Sequence, residues 1–118
     1  MRAIFASCVC ILLSTISAIA AMPEPDAWNI GSVLAAAMRC EQKNYIAQGQ
    51  AAPLMALLFS KISAEEQQFI RSGFLEGGKR EAVYSISRRD WFAVPLNSDA
   101  CNALQYTLNQ YKAVAPQR

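Results

Sequence analysis

Apolar positions along the chain recur every three or four residues, the period of helices with one buried side. Val33, Ala37 and Cys40 fall at that spacing, with Leu34, Met38 and Tyr45 flanking the same side. They predict a first helix from Ser32, with an earlier start at Asp26 as the alternative, running to about Ala47 and stopping before Gly49. Arg39, Gln42 and Lys43 fall on its solvent side. Pro53 suits the first turn of a second helix, where a missing N–H is no loss. Leu54, Met55, Leu57, Leu58, Phe59 and Ile62 make that segment apolar nearly all round, which predicts a central place in the core.

Ser63-Ala64-Glu65-Glu66 reads as a capping box, with Ser63 as N-cap and Glu66 reaching back from the third helical position. The third helix carries Phe69, Ile70, Gly73, Phe74 and Gly77 on one stripe, and Gly73 and Gly77, one turn apart, let a neighbouring backbone approach. Gly77-Gly78 is a possible stop, but the helix formers beyond it predict continuation to about Tyr84. Val83 to Ser87 alternates like a short strand without an evident partner, so residues 85–96 are expected as a long irregular segment. Pro95 biases Val94 toward extended geometry. Asn97 or Ser98 caps a last helix with Asp99 in its first turn, and Cys101, Leu104, Leu108 and Tyr111 form its buried stripe.

The N-terminus has a different pattern. Arg2 precedes an apolar run from Ala3 to Leu13, small residues follow, and Ala18-Ile19-Ala20 offers an A-x-A site. These features predict a signal peptide over residues 1–21, with cleavage after Ala20 or Ala21. An uncleaved anchor is the rival, but Ser14, Thr15 and Ser17 make its second half polar. A lipidation box at Cys8 fits poorly, because Ile11, Leu12 and Leu13 still lie ahead of it. Cys8 and Cys10 are then apolar residues of the leader. Beyond the leader, the expected organisation is an extended segment over 22–31, one helical domain over 32–113 and a disordered tail over 114–118.

An exported chain enters an oxidising space, where Cys40 and Cys101 are the two thiols left. Each lies on the buried side of its helix. The expected fold class is therefore all-α: a small four-helix bundle with one disulfide joining first and last helices. A loop of about 60 residues closed in this way is worth roughly 4 kcal/mol in the chain-entropy account. About 97 residues suffice for a single domain.

Charge and composition narrow the chemistry. Removing Arg2 leaves ten basic and nine acidic residues, a net charge near +1. That lacks the basic face of a nucleic-acid binder and the polybasic cluster of an anionic-lipid binder. The chain has no histidine, so a metal site or a nucleophile–base pair lacks its commonest component. Glu65 and Glu66, adjacent on a helix, diverge too far to act as a carboxylate pair, and capping accounts for them. Neither a serine–lysine context nor a phosphate-binding glycine loop is present. The expectation is a protein that is not an enzyme, with no cofactor and no metal.

One segment suits recognition. Arg88, Arg89, Asp90, Trp91 and Phe92 lie together with Lys79 and Arg80 upstream, and Arg and Trp are favoured at protein interfaces. Arg88, Arg89 and Trp91 are the candidate partner-binding residues; the competing reading folds Trp91, Phe92, Val94 and Leu96 back as a lid over the helices. The expected function is a small periplasmic or secreted protein that binds another protein of the cell envelope or exterior, without stable membrane insertion once the leader is gone. Three alternatives share this outline by analogy of architecture: an acid-stress periplasmic chaperone, a toxin-neutralising immunity protein and an envelope-attached structural protein.

Overall fold

A computed structural model describes residues 22–114. The leader expected over 1–21 and the tail from 115 onward lie outside the described residues. The elements are α1 (Glu24–Gln42), α2 (Ala51–Phe59), α3 (Ala64–Arg80), β1 (Ala82–Ser85), β2 (Asp90–Ala93) and α4 (Ser98–Val114). The chain is thus mostly helical but not purely all-α, because an antiparallel pair of strands sits between α3 and α4.

The extended segment expected over 22–31 is corrected: α1 begins at Glu24 and these residues form its first two turns. Pro25 lies in the first turn, where no N–H is needed, and Glu24 and Asp26 place negative charge against the positive end of the helix. The amide of Ala27 donates to the Pro23 carbonyl at 3.1 Å, closing the first turn. Val114, assigned to the tail, is the last residue of α4.

α1 also ends earlier than Ala47. Asn44 adopts a left-handed conformation with φ 62°, and the Tyr45 amide donates back to the Cys40 carbonyl at 3.0 Å. That is the six-to-one bond of a Schellman end with asparagine in the glycine position. Tyr45 consequently leaves the buried stripe and is exposed, while Ile46 turns inward. The Glu41 carboxylate accepts from the amides of Gly49 and Ala51, at 2.8 and 2.9 Å. It thereby supplies the cap that Gln50, which makes no side-chain cap bond, does not give α2.

α1 is the hub. It packs against α2, α3, β1 and α4, and a run of small side chains (Gly31, Ser32, Ala35, Ala36, Ala37) lets neighbours approach from several sides. α1 and α3 run parallel. Their seam pairs Trp28 with Gly73 and Ser32 with Gly77, while Gly31 faces Ile70, Gly73 and Phe74. The close approach anticipated at Gly73 and Gly77 is therefore made, and Gly31 is its complement on α1. α4 runs antiparallel to α1: Cys101 bonds Cys40 near one end, and Tyr111 meets Asn29 toward the other. The disulfide joins the first and last helices, with a Cα–Cα distance of 5.8 Å, and both cysteines are fully buried in the main core with Leu34, Leu58, Leu104 and Leu108.

α2 is peripheral rather than central. Leu54 and Leu58 face the core, but Ala52, Pro53, Ala56 and Leu57 lie open, with Leu57 38% exposed. Nine residues present a narrow face, and the space beside α1 is already filled by α3, the hairpin and α4. The Ser63–Glu66 capping box forms as expected, with both reciprocal bonds present. At the other end of the molecule Asn97, not Ser98, caps α4, its side chain accepting from the Ala100 amide at 2.8 Å.

Arg39 reverses the expected solvent position. Its three guanidinium nitrogens are buried and find no hydrogen-bond partner among the described residues. It stands in the last turn of α1, where the helix dipole favours a cation.

A candidate recognition surface on the hairpin

α3 stops at Arg80 rather than Tyr84 because Glu81 takes a left-handed conformation (φ 52°, ψ 47°). That geometry strains a non-glycine residue, and it turns the chain from helix into strand. The strand at Ala82–Ser85 does have a partner, Asp90–Ala93, so the segment expected to be irregular is a hairpin with a four-residue loop. Its register pairs Ala82 with Ala93, Val83 with Phe92, Tyr84 with Trp91 and Ser85 with Asp90. Arg89, at φ 53°, makes the left-handed step that closes the loop.

The hairpin is fastened to α1 by side chains that replace a third strand. The buried Ser32 hydroxyl accepts from the Tyr84 amide at 3.0 Å and donates to the Asn29 carbonyl. The Asn29 side-chain amide donates to the Tyr84 carbonyl at 2.7 Å, while its oxygen accepts from the Tyr111 hydroxyl at 2.9 Å. One asparagine thus ties together α1, β1 and α4. Burial pushes the Tyr111 hydroxyl pKa up to about 12, with a smaller contribution from the negative charge of Asp26.

The opposite edge of the hairpin is less receptive to another strand. The Val94 amide bonds the Glu81 carbonyl, so by alternation the amides of Trp91 and Ala93 point away from β1. The Asp90 carboxylate accepts the Trp91 amide at 2.8 Å, and Pro95 has no amide hydrogen to offer. A covered donor and a proline are devices that discourage pairing along an edge.

Successive strand residues face opposite sides, and this separates the candidate residues. Trp91 shares a face with Tyr84. Its ring meets Tyr84 edge-on at 5.3 Å, Tyr84 meets Trp28 likewise at 5.3 Å, and Arg80 lies 5.0 Å above the Trp91 ring. Arg80 also bonds Glu76 at 2.9 Å, and that hydrogen bond holds the Glu76 carboxyl below its usual pKa. Trp91 is therefore half-buried in a stack that secures the hairpin to α1. Val94 and Leu96 pack against the main core, as the lid reading expects of them.

Phe92 points the other way. It is 39% exposed, and the Arg88 guanidinium lies 5.1 Å above its ring. Arg89 is exposed at the tip. On the same face as Val83 and Phe92, an open groove of about 390 Å³ runs between α1, the hairpin and α4, lined by Val33, Val83, Val94, Leu104, Asn29 and Thr107. The structure thus brings Arg88 and Phe92 together beside an apolar groove and assigns Trp91 to the opposite face. The sequence puts Trp91 and Phe92 alike in the recognition segment and in the competing lid, and names only Trp91 as a candidate. The signal that distinguishes the two aromatics is period-two alternation, which is readable only once Tyr84 is known to be Trp91's partner.

This surface offers cation–aromatic and apolar contacts. Comparison with known protein families, curated proteins and solved structures finds no match to this chain.

Proposed function

We propose that this chain is a small exported, non-catalytic protein that binds another protein through the outer face of its hairpin. The carrying observation is the Arg88 guanidinium stacked over half-exposed Phe92 beside an apolar groove. Arginine and aromatic residues dominate interface energetics when a partner excludes water from them, and an exposed cation–aromatic pair contributes only about 0.5–1 kcal/mol until then. Arg89 extends the positive end of the patch, so the partner presents an acidic residue next to an apolar one. The location, periplasmic or secreted, follows from the leader features and from a disulfide favoured in an oxidising compartment. No helix among the described residues is long and apolar enough to cross a membrane.

The test compares partner capture from envelope extract by the wild type and by Arg88→Glu/Phe92→Ala. Loss of a specific partner, with the near-UV signature of the Trp28–Tyr84–Trp91 stack intact, is expected. Retention of the same partner by the folded variant overturns the surface. Trp91→Ala is the wrong probe, because it removes the outer ring of the stack that fastens the hairpin and tests folding instead.

A further inference from the structure

Two observations at the other end of the molecule converge on residue 22. Met22 is buried in a small apolar cluster with Ala27 and Ile70, flanked by Met55, Phe59 and Ile62, and its backbone nitrogen donates to Oε2 of Glu66. Glu66 is itself only 5% exposed, and its other carboxylate oxygen accepts from the Ser63 amide at 2.9 Å. A carboxylate is rarely buried at this depth without strong compensation. The parallel packing of α1 and α3 helps explain it: two helix N-termini lie side by side, and their partial positive charges favour an anion between them.

From this geometry we infer that the exported chain is processed between Ala21 and Met22, and that the resulting α-ammonium of Met22 docks on Glu66. The inference rests on the export half of the proposed function and is independent of the hairpin surface. Of the two cleavage positions that the leader allows, only this one creates the new charge at the nitrogen already bonded to Glu66. The step is a hydrolysis by a leader peptidase: water adds across the Ala21–Met22 amide, the C–N bond breaks, oxygen joins the Ala21 carbonyl carbon, and Met22 nitrogen takes up the protons. The nitrogen keeps its donor position and gains a positive charge, so a hydrogen bond from a neutral amide to a carboxylate becomes an ion pair charged on both sides. Glu24 and Asp26 in the first turn of α1 offset the opposing pull of that helix's dipole on the ammonium. Processing and folding are coupled in consequence: the mature chain carries an internal ion pair that the precursor lacks.

The first measurement is the intact mass of protein recovered from the exporting cell. A chain starting at Met22 is expected; one starting at Met1 overturns both export and docking, and one starting at Ala21 overturns docking alone. The second compares purified chains starting at Met22 and at Ala21, each with and without Glu66→Gln, a substitution that retains an acceptor for Ser63. The expected increase in the unfolding constant caused by Glu66→Gln is about tenfold larger in the chain starting at Met22. Equal increases overturn the ion pair. Should Glu66→Gln not fold, the wild-type α-amine is tested with an amine-reactive label under native conditions. Slower labelling at Met22 than at the start of the Ala21 chain supports docking, and equal labelling overturns it.

Discussion

Placing a methyl group on Gly31 tests the parallel seam of α1 and α3 directly. A Cβ at this position would overlap the Ile70 carbonyl oxygen and lie 2.6 Å from the Phe74 nitrogen. Both obstacles are backbone atoms, which no rotamer change can clear. Restoring an ordinary 3.4–4 Å contact with Phe74 requires the helices to part by about 1 Å, and a gap of 0.5–1 Å forfeits a quarter to a half of the dispersion energy along the contact. Overpacking of this kind costs about 1–3 kcal/mol and occasionally more, and alanine's better helix propensity returns about 1 kcal/mol. With backbone on both sides of the clash the upper end applies, giving a net loss of about 2 kcal/mol and a melting temperature lower by roughly 8–16 °C.

Gly78 provides the control. It lies in α3, the other helix of the seam, and a Cβ there meets nothing within 4 Å, so Gly78→Ala gains about 0.5–1 kcal/mol. Urea unfolding followed by circular dichroism, with the disulfide intact, measures both. Gly31→Ala within about 0.5 kcal/mol of wild type, or the two variants equally destabilised, refutes the seam. Gly73→Ala meets Trp28 Cα at 2.6 Å from the other side. Its effect should add less than fully to that of Gly31→Ala, because the first methyl has already opened the gap.

Three further outcomes are expected. Replacing Cys40 and Cys101 together by alanine removes a cross-link spanning 61 positions and lowers stability by about 4 kcal/mol; a loss under about 1 kcal/mol in urea titration contradicts its role as the staple of α1 and α4. Arg39→Met replaces a buried, unpartnered guanidinium with an apolar side chain of similar reach and raises stability by about 1 kcal/mol or more; a lower urea midpoint contradicts the burial. The folded Tyr111 hydroxyl, with its pKa near 12 against 10.0 unfolded, holds its proton where the unfolded chain loses it. Its contribution of about 2–3 kcal/mol is therefore complete below pH 10 and lost as pH rises through 12. Tyr111→Phe should show a shallower alkaline decline in urea midpoint, and an unchanged slope contradicts this assignment.

The features legible from residues alone are those whose cause lies within a few positions. The Ser63–Glu66 cap, a cap for α4 at Asn97 or Ser98, the inward faces of Cys40 and Cys101 and the stripe of α4 each follow from local hydrogen bonding or helical spacing. The Cys40–Cys101 link is long in sequence but was readable because the two cysteines outside the expected leader allow one pairing. Asn44 and Glu81 were missed as helix ends because both adopt left-handed geometry without the glycine that usually announces it. The expected extended start over 22–31 is instead helix from Glu24, because proline, here Pro25, is at home in a first turn.

What only the tertiary structure decided is how distant pieces share α1. The small residues of that helix are compatible with many neighbours, and local pattern does not say that α3 claims one side, the hairpin another, and that α2 is left at the edge with Leu57 uncovered. The same limit governs the recognition surface. Trp91 and Phe92 are adjacent and similar in chemistry, and their separation into a buried stack and an exposed patch comes from the register with Tyr84 and Val83. A strand's faces acquire meaning only from the partner that fixes them, and that partner is bound to α1 through Ser32 and Asn29, more than fifty residues away in sequence.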